Sequence, residues 1–430
     1  MRLKKNNFIT KLFQKGKPDP QAFDAREFGL FPDTFHRHAT EVVQTLQDAG
    51  FEAYVVGGGV RDQLLDLHPK DFDVVTNARP EQIKKCFKRA IIIGRRFRLV
   101  HVYFGRYEYV EVATFRKAQT FLSKTLKPSR QKNGIVARDN AYGSIEEDAF
   151  RRDFTVNALF YDPAHHKILD FNNGIADMQK RILRLIGKPA IRFQEDPVRI
   201  LRAFRISNKL GFKIDDATLK AIPKFIPLLQ EVAGGRLFDE YQKLFLYGHA
   251  KQNFDTLKEW QILPYFFPNL STALEDKKAE KMIECALKNT DQRCQIGKTI
   301  NPAFLIAVFL WLDLKHAQIK FEKHHPKREA FVKAMREVLK KQAQMTNMPG
   351  YLLDFISDVW SLQRVLERRN KPKALDILKK PRYRAAYDFI QLRAEAGDVK
   401  PGIANWWKQL YEMNDDERAQ FLGLAVVSED

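Results

Sequence analysis

The most constraining feature of the sequence is a glycine triplet that separates a strand pattern from a helix pattern. Alternating apolar residues over 51–56 end at Gly57-Gly58-Gly59, and a helical pattern over 60–67 follows directly. A second strand pattern begins at Phe72 after a short polar link. A glycine turn at a helix start presents unencumbered backbone N–H groups, which bind phosphate readily. The order strand, glycine turn, helix, strand therefore predicts an α/β unit with an anion site.

Two aspartates accompany the second strand pattern. Asp71 and Asp73 are two residues apart, so on a strand their carboxylates project from one face, about 6–7 Å apart. Two such ligands can bridge two Mg²⁺ ions about 3.5–4 Å apart, the geometry of phosphoryl or nucleotidyl transfer. Mn²⁺ takes the same oxygen ligands. An isolated Asp-x-Asp is more often a solvated strand edge, so the metal site is inferred from the aspartates together with the glycine run.

A third carboxylate, Glu111, alternates with apolar residues in the strand pattern over 107–115. It fits the polar face of an antiparallel strand. A neighbouring strand could instead bring it beside Asp71 and Asp73, where it would bind metal or accept the proton of an attacking hydroxyl.

Two further clusters combine arginine with aspartate. In Arg151-Arg152-Asp153, the guanidinium groups suit triphosphate oxygens and Asp153 can accept from a ribose hydroxyl, although a salt-bridged helix start fits the same residues. In the second cluster, Asp196 and Arg199 lie three residues apart on one helix face, and Arg202 continues that face. The Asp196–Arg199 pair could contact a base edge, whereas the alternative is an Asp196 N-cap with Pro197 at the first helical position.

The remaining pattern predicts an α+β architecture: a head with a mixed β-sheet, followed by an elongated all-α part. We divide it into a basic arm (1–30), the head (31–165) and two helical regions (166–255 and 256–430). A polar, basic segment at 117–145 interrupts the head. Its length predicts a functional loop that closes over the site or guides a substrate.

Composition narrows the class of partner. Lys and Arg number 73 against 53 Asp and Glu, a formal charge of +20, which favours nucleic acid as the partner. Three distant cysteines exclude a disulfide framework. The longest apolar run, 303–312, is half the length of a membrane span. We therefore expect a soluble cytoplasmic protein without a membrane segment.

These three clusters, in this order over about 54–212, resemble the class II nucleotidyltransferase family of tRNA CCA-adding enzymes and bacterial poly(A) polymerases. The runs Ile93-Gly-Arg-Arg-Phe-Arg-Leu-Val-His-Val, Arg138-Asp-Asn-Ala-Tyr-Gly-Ser-Ile-Glu-Glu-Asp and Pro381-Arg-Tyr-Arg-Ala-Ala-Tyr-Asp-Phe-Ile resemble the poly(A) polymerase branch. The resemblance implies a polymerase β-like head and template-independent transfer of AMP from ATP to an RNA 3′-OH, in RNA processing and decay. Two Mg²⁺ ions would assist, in a monomer that could meet RNA-decay proteins.

The resemblance also implies roles for residues. Asp71 and Asp73 would be metal ligands, and Glu111 and Asp153 would complete the catalytic set. The triphosphate would be bound by Gly58, Gly59, Arg61, Lys70 and Arg152. Asp196 and Arg199, with Arg202 beside them, would read the adenine edge. The resemblance further implies that 166–255 is a helical neck with the nucleotide-selecting and RNA-binding region, and that 256–430 is an RNA-binding body and tail.

Relatives often end in a long basic extension, whereas this sequence ends at Val427-Ser-Glu-Asp, so RNA affinity is expected from the arm or from 320–341. CCA addition to tRNA is the alternative with the same chemistry. An inactive RNA-binding adaptor is the alternative of another class, which the retained carboxylates disfavour.

Overall fold

The computed structural model describes residues 19–69, 71–94, 98–106, 108–117 and 142–423. Lys70, most of the 117–145 segment, most of the arm and the last seven residues lie outside the described residues, so the predictions made for them stay predictions. The described chain forms two compact units. The head unit contains the residues up to Glu195 together with Gly211–Ala221, and the helical unit contains Asp196–Leu210 and the residues from Ile222 onward.

Among the residues that the structure describes, strands occur only in the head unit. They are β1 Gln21–Asp24, β2 Ala53–Val56, β3 Asp73–Thr76, β4 Ala90–Ile93, β5 Leu99–Tyr103, β6 Tyr109–Thr114, β7 Leu159–Asp162, β8 Lys167–Asp170, β9 Ile182–Leu183 and β10 Lys213–Ile214. The first eight form one sheet in the order β1-β8-β7-β2-β3-β6-β5-β4, and β9 pairs with β10 separately. Within the large sheet β3 and β6 are parallel and every other pair is antiparallel.

The head helices cover this sheet. They are α1 Arg37–Asp48, α2 Gly58–Leu64, α3 Pro80–Cys86, α4 Ile145–Arg151, α5 Gly174–Gln179 and α6 Pro189–Glu195. Helix α1 packs on β2 and β3 through Val42, Val43 and Leu46, which are fully buried. Because β2, β3 and β6 also bury their valines, the centre of the sheet is anchored by apolar packing, whereas Asp73 at the start of β3 and Glu111 within β6 remain partly or fully exposed.

The helical unit begins with α7, Val198–Leu210, and helix α8, Asp216–Phe225, crosses the division between the units. The following helices are α9 Gly234–Phe245, α10 Ala250–Glu259, α11 Leu270–Ala273, α12 Lys277–Gln295, α13 Pro302–Phe309, α14 Trp311–Glu322, α15 Lys327–Thr346, α16 Gly350–Arg368, α17 Ala374–Leu378, α18 Tyr383–Glu395, α19 Pro401–Glu412 and α20 Asp415–Leu422. Large buried rings, including Trp360, Trp407 and Phe309, fill the core of this unit.

The α+β prediction and the mixed sheet of the head are confirmed. The domain limits predicted at 30, 165 and 255 stay predictions, and the head unit as observed extends to Glu195. Helices α13 and α14 meet at a 49° bend; α13 packs on α16, whereas α14 packs on α15. Among the described residues no single helix is long and apolar enough to span a membrane. The bent pair of α13 and α14 reaches that length and apolar composition only when its two helices are taken together.

Candidate functional site

The pairing of β3 with β6 brings two of the predicted carboxylates together. Asp73, the first residue of β3, is in register with Glu111 of β6 across the parallel pair. Neighbouring strands lie about 4.8 Å apart, and residues in register point to the same face of a sheet. Asp73 is exposed and the Glu111 side chain is 42% exposed, so both carboxylates can reach solvent. Glu111 thus lies beside Asp73 on the parallel side of β6 and on an antiparallel pair on the other side, and its catalytic role stays a prediction.

Asp71 is placed differently from the prediction. Strand β3 begins at Asp73, so Asp71 lies in the link before the strand and does not share the strand geometry. Phe72, between the two aspartates, has its ring close to Gly59. Among the described residues there is no ready-made group of three His, Cys, Asp or Glu side chains that could hold a metal ion. The roles of Asp71 and Asp73 as metal ligands stay predictions.

The glycine triplet has two positions that only glycine fits. Gly57, the N-cap of α2, has φ 83° and ψ −139°, a conformation essentially restricted to glycine. At Gly59 an added Cβ would lie 2.7 Å from Cδ1 of Phe72 and 3.2 Å from the carbonyl oxygen of Asp71. The triplet therefore joins β2 to α2 and lets the Asp71–Asp73 link approach the helix. Gly58 is the first residue of α2.

Arg152 lies beside the glycine turn. Its Nη1 is 3.6 Å from the position that a Cβ of Gly57 would occupy, and Oδ2 of Asp73 is 3.9 Å from the same point. The guanidinium is held by Asp148, which accepts from Nε of Arg152 at 3.0 Å and forms an ion pair with its Nη2 at 2.9 Å. Cation and carboxylate thus flank one glycine, an arrangement suited to a metal-bound phosphate.

Asp148 is the buried acceptor of this cluster. Its side chain is fully buried, and it also pairs with Arg151 at 2.6 Å and accepts from the backbone N–H of Arg116 at 3.1 Å. Burial acts to raise the pKa of Asp148, but the charges of Arg152 and Arg151 outweigh it and hold the pKa below the usual value. Asp148 therefore stays ionised and fixes Arg152.

Arg61 and Asp153 belong to one buried hydrogen-bond network. The guanidinium of Arg61 is 5% exposed and donates to Asp62 Oδ1 through Nε, 2.8 Å, and to Asn157 Oδ1 through Nη1. The Nδ2 of Asn157 in turn donates to Asp153 Oδ1 at 3.1 Å. In this state the guanidinium of Arg61 donates to protein groups, so Arg61 stabilises the structure next to the glycine turn. The triphosphate role predicted for Arg61 stays a prediction.

A histidine faces Glu111 from the next strand. His101 of β5 is in register with Glu111, with Nε2 3.8 Å from Oε2, and its ring stacks on Tyr109 with centroids 4.0 Å apart. Burial lowers the pKa of His101, so the imidazole is neutral at neutral pH.

The second predicted cluster lies in the helical unit. Asp196 caps α7, since its Oδ1 accepts from the N–H of Val198 at 3.2 Å, and its Oδ2 pairs with Arg236 at 2.9 Å. Arg199 follows in the first turn of α7 and is partly exposed. Arg202 lies 3.9 Å from Glu240, a 4% exposed carboxylate that also faces Arg205 at 3.5 Å. The capping role of Asp196 is observed, and base recognition stays a prediction.

Five supporting residues were not found by sequence reasoning: Phe72, Asp148, Asn157, Arg236 and Glu240. Phe72 and Asp148 stand next to or within motifs that were singled out, and the spacing of Asp148 four residues before Arg152 is an i,i+4 signal. Asn157 lies four residues after Asp153, but its contact with Arg61 spans 96 residues. Arg236 and Glu240 contact partners on α7 or just before it, and no local pattern marks these contacts.

The mixed sheet, with carboxylates in register on its parallel pair and a glycine turn beside an arginine, defines a nucleotidyltransferase-type head. Residues 53–184 match the family described as the poly A polymerase head domain, 211–274 match the probable RNA and SrmB-binding site of polymerase A, and 323–425 match the polymerase A arginine-rich C-terminus.

The chain is 40% identical to poly(A) polymerase I of Haemophilus influenzae over 95% of its length and 92% of that protein, and 42% identical to poly(A) polymerase I of Escherichia coli over 93% and 90%. A CCA-adding enzyme of Lactobacillus helveticus is 38% identical over 54% of this chain and 55% of that enzyme. The Bacillus stearothermophilus CCA-adding enzyme in complex with CTP shares the fold, with a TM-score of 0.53 and 22% identity over 91% of this chain and 88% of that one.

The chain belongs to the bacterial poly(A) polymerase I family of nucleotidyltransferases, because the identity extends over almost the whole length of both proteins.

Proposed function

We propose that this protein adds AMP from ATP to the 3′-OH of RNA without a template and releases pyrophosphate. The single observation that carries the proposal is the register of Asp73 with Glu111 beside the glycine turn, in a chain whose near-full-length relatives are named poly(A) polymerase I. In the reaction, the 3′-oxygen forms a bond to the α-phosphorus of ATP. The bond from that phosphorus to the bridging oxygen breaks, and pyrophosphate leaves.

The carboxylates fit divalent cations by their chemistry. Asp73 and Glu111 offer hard oxygen ligands in register, and the exposed Asp71 stands two residues before Asp73. We propose these three as the residues that would hold Mg²⁺ or Mn²⁺. When bound, such ions acidify the attacking hydroxyl and neutralise the leaving pyrophosphate. Glu111 is the proposed acceptor of the hydroxyl proton.

The glycine turn and Arg152 are the proposed triphosphate contacts. Arg152 Nη1 lies beside Gly57, and its other nitrogens face Asp148, so the guanidinium is oriented before a ligand arrives. Pre-orientation lowers the ordering cost of binding phosphate oxygens. Asp153 is proposed as a ribose contact, positioned by Asn157, and Lys70 keeps its predicted triphosphate role.

Base selection is proposed for Asp196 and Arg199. Arg236 holds one carboxylate oxygen of Asp196 and the first turn of α7 holds the other, so the acceptor has a fixed direction. An acceptor and a donor three residues apart can match the donor and acceptor edge of adenine. Such a pair selects a nucleotide without a template strand.

The test offers ATP, GTP, CTP and UTP separately to an unstructured RNA and, in parallel, to a tRNA lacking its 3′ end. Long tails made from ATP on the unstructured RNA support the proposal. Incorporation of CTP followed by arrest after one A assigns the protein to CCA addition. RNA binding without incorporation of any nucleotide assigns it to the adaptor class.

A further inference from the structure

A large pocket of the helical unit has no part in the reaction proposed above. It has a volume of about 930 Å³ and lies among α12, the segment after it, one face of α18 and the end of α19. This volume lies within the usual range for small-molecule sites. All of its lining residues belong to the helical unit, so it is built from different residues than the carboxylate site of the head.

Positive charge predominates in the lining. Arg293, Lys298, Lys380, Arg382 and Arg384 contribute five cationic groups, against the two carboxylates of Asp388 and Glu395. Asp388 is itself paired with Arg384 at 3.1 Å, so one of the two carboxylates is already neutralised within the lining. The excess favours an anionic ligand.

Aromatic rings stand next to these cations. Tyr383 and Tyr411 both line the pocket and stack with ring centroids 5.8 Å apart, and Tyr411 is 39% exposed. The guanidinium of Arg384 lies over the Tyr411 ring at 5.3 Å. Exposed tyrosine faces and guanidinium planes are the surfaces on which nucleobases stack.

One polar atom of the lining lacks a partner among the described residues. The Tyr383 side chain is buried, its residue being 3% exposed, and its hydroxyl has no hydrogen bond in this part of the chain. An unsatisfied buried hydroxyl is unfavourable in the ligand-free protein, and a ligand acceptor would satisfy it. Tyr383 is also the first residue of α18, whose N-cap, Arg382, has φ 66° and makes no side-chain capping bond. A left-handed arginine is strained, and strain of this kind is typical of ligand sites.

We propose that this pocket binds one nucleotide unit, with the phosphate among Arg382, Arg384 and Lys298, the base against Tyr411, and the Tyr383 hydroxyl donating a hydrogen bond. The unit is either a free nucleotide or one residue of single-stranded RNA. The RNA form rests on the proposed function, whereas the free-nucleotide form is independent of it.

The sharpest variant is Tyr383→Phe, which removes only the unpartnered hydroxyl. Its matched control is Tyr387→Phe on the same helix, because the Tyr387 hydroxyl accepts from Gln391 and Tyr387 does not line the pocket. Tyr383→Phe is expected to leave the melting temperature unchanged or raised. It is expected to lower the affinity for the nucleotide ligand about 3–10-fold. Tyr387→Phe is expected to leave the affinity unchanged.

Photo-crosslinking distinguishes the two sources of the ligand. One arm uses 8-azido-AMP, and the other uses an oligoadenylate of twelve nucleotides with azidoadenines and a 3′-phosphate that blocks extension. The proposal is supported by crosslinks to the peptides containing Tyr383 or Tyr411 that are lost in Arg384→Gln. The arm in which these crosslinks form identifies the ligand as free nucleotide or RNA. Absence of such crosslinks in both arms overturns it, as does equal affinity of Tyr383→Phe and wild type in both arms.

AMP transfer to a short primer is measured on the same preparations. If the protein transfers AMP but gives neither crosslink, the pocket proposal is wrong and the proposed function is unaffected. A protein that gives the crosslink but transfers no AMP contradicts the proposed function alone.

Discussion

The head and the helical unit place their polar residues by different means. In the head, the carboxylates Asp73 and Glu111 are fixed by strand register, so backbone hydrogen bonds determine which residues meet. In the helical unit, side-chain ion pairs between α7 and α9 carry this role: Arg236 of α9 pairs with Asp196, which precedes α7, and Glu240 of α9 faces Arg202 and Arg205 of α7. Backbone register tolerates little displacement, whereas side-chain pairs on helices adapt. We therefore expect head substitutions near the site to affect chemistry sharply, and helical-unit substitutions to affect stability or selectivity by smaller amounts.

The largest expected effect is at the parallel pair. Asp73→Asn keeps the size of the side chain and removes its charge, so AMP transfer should fall at least about 10³-fold with little change in melting temperature, as expected when a charge acting on the transition state is lost. The measurement is kcat for tail synthesis alongside thermal unfolding. Asp48→Asn, the same chemical change at an exposed position of α1, is the control and should retain activity. Survival of tailing in Asp73→Asn, and in Asp71→Ala with Asp73→Ala, would show that the proposed carboxylate site is wrong.

The second effect tests how closely the Asp71–Asp73 link must approach α2. In Gly59→Ala the new Cβ would lie 2.7 Å from the Phe72 ring and 3.2 Å from the backbone of Asp71, so the link must shift. A shift of about 1 Å at a catalytic group is expected to reduce kcat about 100-fold. Gly105→Ala is the control, because its Cβ would meet only the Cβ of Glu108 at 3.9 Å. Equal activity of the two variants would contradict the tight approach.

Much of the head could be predicted from the sequence, because strand periodicity and the glycine turn are local signals. The position of Glu111 beside Asp73 needed one further assumption, the pairing of two strands distant in sequence, and that pairing is observed. The exact start of β3 could not be predicted, because the apolar pattern along the chain already begins at Phe72, whereas the pairing with β2 and β6 begins at Asp73. The fixing of Asp196 by Arg236, and the burial of Asn157 between Arg61 and Asp153, depend on tertiary contacts that leave no pattern along the chain.

The third prediction concerns stability of the helical unit. Asp398 pairs with Lys315 at 2.6 Å and with Arg393 at 2.7 Å. Burial acts to raise the pKa of Asp398, but Arg393 and Lys315 outweigh it and lower the pKa to about 2. A carboxyl whose pKa is lowered in the folded state stabilises the protein at pH values above its unfolded-state pKa, which is near 3.8. This contribution is lost as the pH falls from about 4 toward 2. Asp398→Asn should therefore reduce the free energy of unfolding by about 2 kcal/mol at pH 7.

The measurement for Asp398 is urea unfolding of wild type and variant at pH 7 and at pH 3. The difference in free energy of unfolding between wild type and variant should be smaller at pH 3, because protonation of wild-type Asp398 then begins to remove the stabilisation that its charge provides. Asp415→Asn is the control, since Asp415 pairs with Arg418 at 2.8 Å but its side chain is 95% exposed. A surface pair of this kind contributes little. A difference that stays constant with pH would contradict the assigned role of the Asp398 charge.

The smallest effect tests whether a helix-borne ion pair can set selectivity at all. Arg236→Gln removes the exposed partner of Asp196, so the melting temperature should change little, since surface pairs contribute about 0–1 kcal/mol. The carboxylate loses one of its two orienting contacts, and the ratio of kcat/KM for ATP to that for CTP should fall about 3–10-fold. Lys258→Gln is the matched control, because its pair with Glu280 has the same 2.9 Å length and similar exposure. If both variants keep the wild-type ratio, Asp196 does not depend on Arg236 for its orientation, and selectivity in this unit resides in the first turn of α7 itself.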